Sequence, residues 1–215
     1  MNARVKTRSY DNSRREARAR ETRRSVVAAA HDLFVTRGFV DVTVEDISTA
    51  STVPIATVYR LFGTKAAILK DVLDVAIGGD DEPIAVGDRP LAIEAKSSPD
   101  ARAMTAAFAK LVRQMYDRSA ALRFALRSAA VVDREAAQLE ASMEAQRRTG
   151  QARIARALAA AGFLRPGLGE SEGRDIVYAV VSLEVYRILR VEQRWSGPRY
   201  ERWLADALYR LLVSE

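Results

Sequence analysis

The chain has 215 residues, of which 48% are hydrophobic and 29% charged, the composition of an ordinary soluble protein with a small and a larger domain. It contains no apolar run long enough for a transmembrane helix, and its arginine-rich N-terminus lacks the apolar centre of a secretory signal. Without cysteine it has neither disulfides nor thiol chemistry, so we expect a cytoplasmic protein with no membrane association.

The net charge of +6 is concentrated at the N-terminus. Positions 1–24 hold nine Lys and Arg residues against three acidic ones, so basic and acidic residues balance over the rest of the chain. We expect residues 1–19 to form a basic, disordered arm. Beside a DNA-binding unit such an arm indicates a nucleic-acid contact, and the alternative is a solvated tail.

Four helices are predicted next. The first begins between Arg14 and Arg20 and ends at Arg37, because Gly38 stops it. Two short helices, over 44–51 and 55–62, are joined by only three residues, so they cross steeply as in a helix-turn-helix over about 43–62. Such a unit presents the front of its second helix to the major groove of DNA. A fourth helix runs from Lys65 to about position 77, which completes a DNA-binding domain over 20–77.

The same stretch resembles the TetR-type (TetR/AcrR) transcriptional regulators. The residues that follow this family's pattern in register are Ala29, Ala30, Leu33, Phe34, Gly38, Phe39, Thr43, Val44, Asp46, Ile47, Thr57, Val58, Tyr59, Phe62 and Lys65. Beyond Lys70 the resemblance is only architectural. It implies an all-α fold, in which a three-helix DNA-binding domain precedes a larger helical domain for ligand binding and dimerisation.

Several residues are candidate DNA contacts. The resemblance implies that Tyr59 and Lys65 clamp the DNA backbone, although Tyr59 could instead be a core residue. Thr43 offers a hydroxyl and free N–H groups to a phosphate, or is only a helix cap, and both roles can coexist. The front of the second short helix would read the bases, with Arg60 alternatively a solvated residue; these positions are Ile55, Ala56, Thr57 and Arg60.

The turn departs from the family pattern. Thr52 stands where a glycine is usual, so the turn either takes another conformation or holds a strained, left-handed Thr52. Pro54 replaces the usual serine cap and cannot cap the following N–H groups with its side chain. We expect those donors to remain available for a DNA phosphate.

The remainder of the chain is predicted to be a loop over 78–90 and a helical effector-binding and dimerisation domain over 91–215. Asp80, Asp81 and Glu82 are interpreted as a solvated loop, with metal binding as the weaker alternative. One predicted helix covers about 172–190 and the last about 199–213, and both are strongly apolar.

Two further sites are predicted in this domain. An apolar pocket with a few hydroxyls would be lined by Phe108, Met115, Phe124, Tyr178 and Tyr186, each of which could equally be ordinary core. A homodimer interface would use Val180, Leu204, Leu208 and Leu211, or these would only close the core of the monomer.

No pattern of residues indicates an enzyme. The sequence has no G-x-S-x-G, P-loop or dinucleotide fingerprint, and its single histidine, His31, has no ligand cluster around it. We therefore expect no catalytic residue, metal or cofactor. The predicted function is a ligand-responsive, sequence-specific regulator, most simply a repressor released from a double-stranded operator by a largely apolar effector. The alternative is an architectural DNA-binding protein or a small-molecule carrier.

Overall fold

Helices account for nearly all regular structure. The computed structural model describes the backbone of residues 6–213 and the side chains of residues 14–213. The α-helices, in chain order, are α1 (Lys6–Arg37), α2 (Val44–Ser51), α3 (Ile55–Phe62), α4 (Lys65–Gly78), α5 (Pro90–Ser97), α6 (Ala101–Ala129), α7 (Arg134–Ala160), α8 (Glu170–Val180), α9 (Leu183–Tyr186) and α10 (Gly197–Leu212). A 3₁₀ turn, Val86–Asp88, precedes α5, and a π-helical segment, Arg187–Glu192, follows α9. Strand-like pairing in these residues is limited to one bridge between Leu164 and Val213, which confirms the all-α prediction.

Helix α1 begins earlier than the sequence predicts. It starts at Lys6, so residues 6–19 of the predicted disordered arm are helical, whereas residues 1–5 lie outside the described part of the chain. The lack of apolar periodicity in this segment is what predicts a disordered arm. Arg, Glu and Ala dominate positions 14–21, however, and all three have high helix propensity. Residues 14–20 are all exposed, so this part of the helix is charged and forms without burying a face.

The chain divides into two compact units. The first comprises Met1–Val75 and Ala121–Leu139, and the second comprises Ala76–Ala120 and Glu140–Glu215. Helices α4, α6 and α7 therefore contribute residues to both units. The segment Ala121–Leu139, which the sequence places in the effector domain, belongs instead to the first unit.

The core of the first unit is built from the helices around α2 and α3. Helices α2 and α3 have the bounds that the sequence predicts, and their apolar faces point inward with those of α1 and α4. The side chains that are almost completely removed from solvent are Val26, Ala30, Phe34, Val42, Ile47, Val58, Ile68, Leu69 and Val72. Burial of this apolar surface is the main stabilising term for so small a unit.

In the second unit, α8 and α9 replace the single helix predicted over 172–190. The break falls at Val181 and Ser182, and the Ser182 hydroxyl accepts a hydrogen bond from the N–H of Val185 at 3.2 Å. The freed Val181 carbonyl accepts from the Tyr116 hydroxyl at 2.7 Å and from the Gln151 amide at 3.0 Å. Apolar periodicity continues across this point, which is why the sequence pattern does not indicate the break.

Helix α10 carries its core residues at every fourth position. Tyr200, Leu204, Leu208 and Leu212 are each 0% exposed in the single chain. Leu204 and Leu208 therefore belong to the core of this unit, which corrects their assignment to a dimer interface, since side chains already removed from water gain no further burial from a partner. Of the other predicted interface residues, Leu211 is 41% exposed and Val180 is half-buried.

The long helices are uninterrupted. Helix α6 extends over 29 residues and α7 over 27, and α7 continues through Gly150 without a break. No helix within residues 6–213 combines the length and the apolar composition that a membrane crossing requires.

Candidate nucleic-acid interface

The turn between α2 and α3 contains a left-handed threonine. Thr52 has φ 56° and ψ 23°, so the chain keeps the backbone conformation that glycine would adopt easily. The Ser48 hydroxyl donates to the Val53 carbonyl at 2.6 Å, and the Val53 N–H donates to the Ser48 carbonyl at 3.2 Å. These two bonds span Thr52 and stabilise the turn. Of the two alternatives left by the sequence, the strained Thr52 is therefore the one observed.

The front of α3 has free backbone donors. Pro54 occupies the N-cap position and provides no side-chain hydrogen bond. The first N–H that its carbonyl accepts is that of Thr57, at 2.8 Å. Within the described residues the N–H groups of Ile55 and Ala56 therefore have no hydrogen-bond partner. The positive end of the α3 dipole adds to the attraction of these donors for an anion.

The predicted base-reading residues lie on the exposed side of α3. Ala56 and Arg60 are exposed, whereas Ile55 and Thr57 are half-buried. Tyr59 is 47% exposed, which excludes its interpretation as a core residue. The opposite side of the helix carries Val58, which is 0% exposed and fixes α3 on the core. Ala56, Tyr59 and Arg60 are therefore the side chains that α3 exposes most to solvent.

Thr43 forms the N-cap of α2. Its hydroxyl accepts from the Asp46 N–H at 3.0 Å, and its own N–H donates to the Asp46 carboxylate at 2.9 Å. Arg37 also donates to that carboxylate, at 3.2 Å. The hydrogen bonds from Thr43 and then Arg37 lower the pKa of Asp46, so this capping box is intact at neutral pH. Thr43 is exposed, and its hydroxyl hydrogen remains available to an external acceptor.

Lys65 does not extend into solvent. Its ammonium donates to the carbonyls of Phe39 at 2.8 Å, Val42 at 2.8 Å and Val40 at 3.4 Å, and it lies 4.2 Å from the centroid of the Phe39 ring. Burial lowers the pKa of Lys65, and the negative charges of Asp133 and Asp41 partly oppose this shift. An ammonium group has three N–H donors, and all three are engaged. This geometry differs from the predicted phosphate clamp, because the acceptors are backbone carbonyls of the protein itself.

The residues predicted to line an effector pocket are divided between the two units. Phe108, Met115, Tyr178 and Tyr186 belong to the second unit, whereas Phe124 belongs to the first. Phe108 and Tyr186 are buried; Met115 and Tyr178 are half-buried.

Two of these tyrosines carry polar contacts. The Tyr186 hydroxyl donates to Asp117 at 2.9 Å, and burial together with this bond raises the pKa of Tyr186 to about 12. The Tyr178 hydroxyl bonds to Glu144, and the Arg147 guanidinium lies 3.9 Å from the centroid of the Tyr178 ring. Both tyrosines are therefore tied to charged groups of the same unit.

Tyr200 is a functional candidate that the sequence pattern misses. It is 0% exposed, and its ring lies 5.3 Å from that of Tyr186 and 6.0 Å from that of Trp203, centroid to centroid. Its hydroxyl has no hydrogen-bond partner among the described residues, and burial raises its pKa. The only signal in the sequence is a phenol on an otherwise apolar stripe, four residues before Leu204.

The acidic loop and the histidine have local partners. Arg89 donates to both carboxylate oxygens of Asp80, at 2.7 and 2.8 Å, and lowers the pKa of Asp80 to about 2. His31 lies 3.0 Å from the carboxylate of the adjacent Asp32. In the described part of the chain no three His, Asp or Glu side chains come together as a metal site would require.

Comparison with known proteins agrees with this geometry. Residues 26–72 match the family model of bacterial regulatory proteins, tetR family. None of the curated proteins matches the sequence.

The solved structures that resemble this chain include regulators of that family. NalD, the secondary repressor of the MexAB-OprM multidrug efflux pump in Pseudomonas aeruginosa, is 17% identical, with 93% of this chain and 99% of NalD aligned and a TM-score of 0.69. SmeT in complex with triclosan is 16% identical over 91% of this chain and 93% of SmeT, with a TM-score of 0.67. A protein from Saccharomonospora viridis in complex with choline is 18% identical over 91% of this chain and 99% of its own, with a TM-score of 0.66.

These structural likenesses extend over almost the whole chain, although they are too distant in sequence to carry more than the fold. The match over residues 26–72 covers the helix-turn-helix together with the end of α1 and the first half of α4. Residues 26–72 are therefore similar to bacterial regulatory proteins of the tetR family, and the whole chain has the all-helical fold of solved regulators such as NalD.

Proposed function

We propose that the chain is a homodimeric repressor that binds an operator in double-stranded DNA through α3 and is released by a small molecule. The observation that carries this proposal is the front of α3, where unpaired N–H groups of Ile55 and Ala56 adjoin the exposed side chains of Tyr59 and Arg60. Backbone donors at a helix N-terminus suit a phosphate, and side chains beside them suit the base edges.

The charge of α1 supports a polyanionic partner. Arg14, Arg15, Arg18 and Arg20 are all exposed on this helix, and Glu16 is the acidic residue among them. Each arginine that reaches a phosphate would release a condensed counterion and so favour binding at low salt. The side chains of Arg4, Lys6 and Arg8 lie outside the described residues.

The second unit supports the ligand-responsive half of the proposal. Tyr116, Tyr186 and Tyr200 form a buried series of aromatic rings, in which the Tyr200 hydroxyl is unpaired. A bound molecule with an oxygen acceptor would satisfy that donor and bury its apolar part against the rings. The fold is shared with proteins that hold triclosan and choline, and we infer a largely apolar effector in the same unit here.

A homodimer is supported by apolar side chains that the single chain leaves exposed. Ile188 is 42% exposed, Val191 is 55% exposed and Leu211 is 41% exposed, all within the second unit. A second copy that covered them would bury further apolar surface. Replacement of Leu211 by Asp would then lower the mass measured by sedimentation, whereas a monomeric wild type would argue against the dimer.

The test of DNA binding is a comparison of two duplexes by fluorescence anisotropy. One carries the DNA immediately upstream of the protein's own gene, and the other carries the same bases in scrambled order. We expect tighter binding to the first, and loss of that preference in Ala56→Asp, which places a carboxylate on the exposed front of α3. Ala141→Asp, an equally exposed change on α7, is the matched control.

Equal binding of the wild type to both duplexes would favour an architectural DNA-binding protein. No binding to either duplex would favour a small-molecule carrier. In both cases the repressor proposal would be rejected.

A further inference from the structure

We propose that Lys65 is a positioning residue for DNA binding: its ammonium orders the segment Phe39–Val42 and thereby holds Thr43 at the front of α2, without contacting phosphate. This inference rests on the DNA binding proposed above, and it assigns to Lys65 a role different from the clamp that the family resemblance implies. The segment lies between α1 and α2, whereas Lys65 is the first residue of α4.

The carbonyls of this segment converge on two cations. The Lys65 ammonium donates to the carbonyls of Phe39 and Val42 at 2.8 Å and, more weakly, to that of Val40 at 3.4 Å. The remaining carbonyl, that of Asp41, accepts from the Arg37 guanidinium at 2.6 Å. Four successive carbonyls are thus held by one residue at the end of α1 and one at the start of α4.

The arrangement continues directly into the front of α2. Arg37 donates both to the Asp41 carbonyl and to the Asp46 carboxylate, and that carboxylate accepts from the Thr43 N–H. Thr43 follows the last carbonyl that Lys65 binds, that of Val42. Loss of the ammonium would free the carbonyls on one side of this arrangement, and the position of Thr43 would then be less well defined.

The surroundings of Lys65 place its charge toward the protein interior. The Phe39 ring beneath the ammonium is 2% exposed, and Val42 is 0% exposed. A lysine suits this site better than an arginine does. Three carbonyls that surround one point match the compact ammonium group, whereas the guanidinium group of arginine is planar and directs its N–H donors differently. The bonds to the Phe39 and Val42 carbonyls are part-buried at 2.8 Å, so an ammonium that moved out to a phosphate and broke either of them would leave a carbonyl unpaired beside the core.

The salt dependence of DNA binding separates positioning from a phosphate contact. Each phosphate contact contributes about 0.9 to the slope of log affinity against log salt, so a clamp in both subunits would contribute about 1.8. We would measure binding of Lys65→Met and Lys65→Arg to the upstream and scrambled duplexes between about 50 and 200 mM salt. Two comparison variants change exposed residues on neighbouring helices: Arg60→Met on α3 and Lys70→Met on α4.

Positioning predicts that Lys65→Met binds the upstream duplex at least tenfold more weakly at every salt concentration with an unchanged slope. Lys65→Arg should show the same loss, since its charge is kept and its geometry is not. If Lys65 had a merely structural role, Lys65→Met would lower the melting temperature without changing the affinity of the folded protein for DNA. Lys70→Met should leave both the melting temperature and the affinity unchanged. A slope that flattens by about 1.8 in Lys65→Met while Lys65→Arg binds normally would overturn the proposal.

A measurement on the wild type covers the case in which neither variant folds. The NMR signals of the Lys65 ammonium should be unchanged when the upstream duplex is added, because its acceptors remain the same. A large shift on addition of DNA would overturn the positioning role. If the wild type does not prefer the upstream duplex at all, the proposed function fails instead, which is a separate result.

Discussion

The Ser48 hydroxyl donates a 2.6 Å hydrogen bond to the Val53 carbonyl across the left-handed Thr52. A β-branched residue in this conformation costs about 1–2 kcal/mol, whereas glycine adopts it freely but loses more entropy on folding. We therefore expect Thr52→Gly to stabilise the protein by about 0.5–1 kcal/mol, measured by urea unfolding. Thr49→Gly, an exposed change inside α2, should instead destabilise it slightly. Destabilisation by Thr52→Gly would show that the threonine side chain stabilises the turn.

The ion pair between Asp80 and Arg89 predicts a dependence of stability on pH. Because the folded-state pKa of Asp80 falls from 3.8 to about 2, mainly through the hydrogen bonds from Arg89, the folded protein releases this proton more readily than the unfolded chain. The stabilisation is therefore complete above about pH 4 and is lost as the pH falls through about 2. Asp80→Asn should be less stable than the wild type at neutral pH, and the two should converge in acid.

The matched control for this experiment is Asp88→Asn, which removes an exposed carboxylate from the same loop. Convergence with the wild type in acid for Asp80→Asn but not for Asp88→Asn would assign the effect to the pair with Arg89. Parallel pH curves for wild type and Asp80→Asn would contradict a role for the ion pair in folding.

Two neighbouring tyrosines should respond in opposite ways to loss of their hydroxyls. The Tyr200 hydroxyl is buried without a partner in the described residues, whereas the Tyr186 hydroxyl donates to Asp117 at 2.9 Å. Removal of an unpaired buried polar group recovers a desolvation cost of about 1–3 kcal/mol, so Tyr200→Phe should be more stable than the wild type. Tyr186→Phe should lose about 1–2 kcal/mol, because its bond to a carboxylate is broken.

Thermal unfolding of the free protein measures both changes. If Tyr200→Phe is instead destabilised, its hydroxyl has a partner in solution, and the argument for an unpaired donor facing an effector is lost. Once an effector is known, Tyr200→Phe should bind it more weakly while binding DNA as the wild type does.

The sequence predicts α2 and α3 well because their signals are local. Thr43 and Asp46 cap α2, and the apolar residues of α2 and α3 repeat at helical spacing, so both helices have the predicted bounds. The contacts of Lys65 could not be predicted in this way. Its acceptors are carbonyls of a loop 23 to 26 residues away in sequence, and only folding brings them together.

The features missed in the second unit have a similar cause. The break at Val181 depends on hydrogen bonds from Tyr116 and Gln151, which lie 65 and 30 residues away. Likewise, Leu204 and Leu208 are apolar whether they face their own core or a partner, and only the packed chain distinguishes these cases. Apolar periodicity indicates which face of a helix is buried and leaves open what buries it.

Tyr59 should affect DNA binding without affecting sequence choice. It is the exposed phenol on α3, and a hydroxyl bonded to a phosphate carries no base information. We expect Tyr59→Phe to weaken binding to the upstream and scrambled duplexes by the same factor, corresponding to about 0.5–1.5 kcal/mol per site. A loss confined to the upstream duplex would assign the hydroxyl to a base instead.

The arginines of α1 should account for much of the salt dependence. Arg14, Arg15 and Arg18 are exposed on α1, and replacement of all three by glutamine removes their charges while keeping good helix formers. If each contacts one phosphate in both subunits of a dimer, six contacts are lost, and the slope of log affinity against log salt flattens by about 5. Affinity should fall most at low salt, and the preferred sequence should be unchanged, because phosphate contacts carry no sequence information.

A control of equal charge distinguishes a local contact from the overall charge of the protein. Arg165, Arg202 and Arg210 are also exposed but belong to the second unit, so their replacement by glutamine changes the net charge by the same amount. Direct contacts by α1 predict a flattened slope for the first triple variant and an unchanged slope for the second. Equal effects of the two would mean that net charge alone attracts the DNA. An unchanged slope in both would mean that the charged start of α1 is a solvated helix without a role in binding.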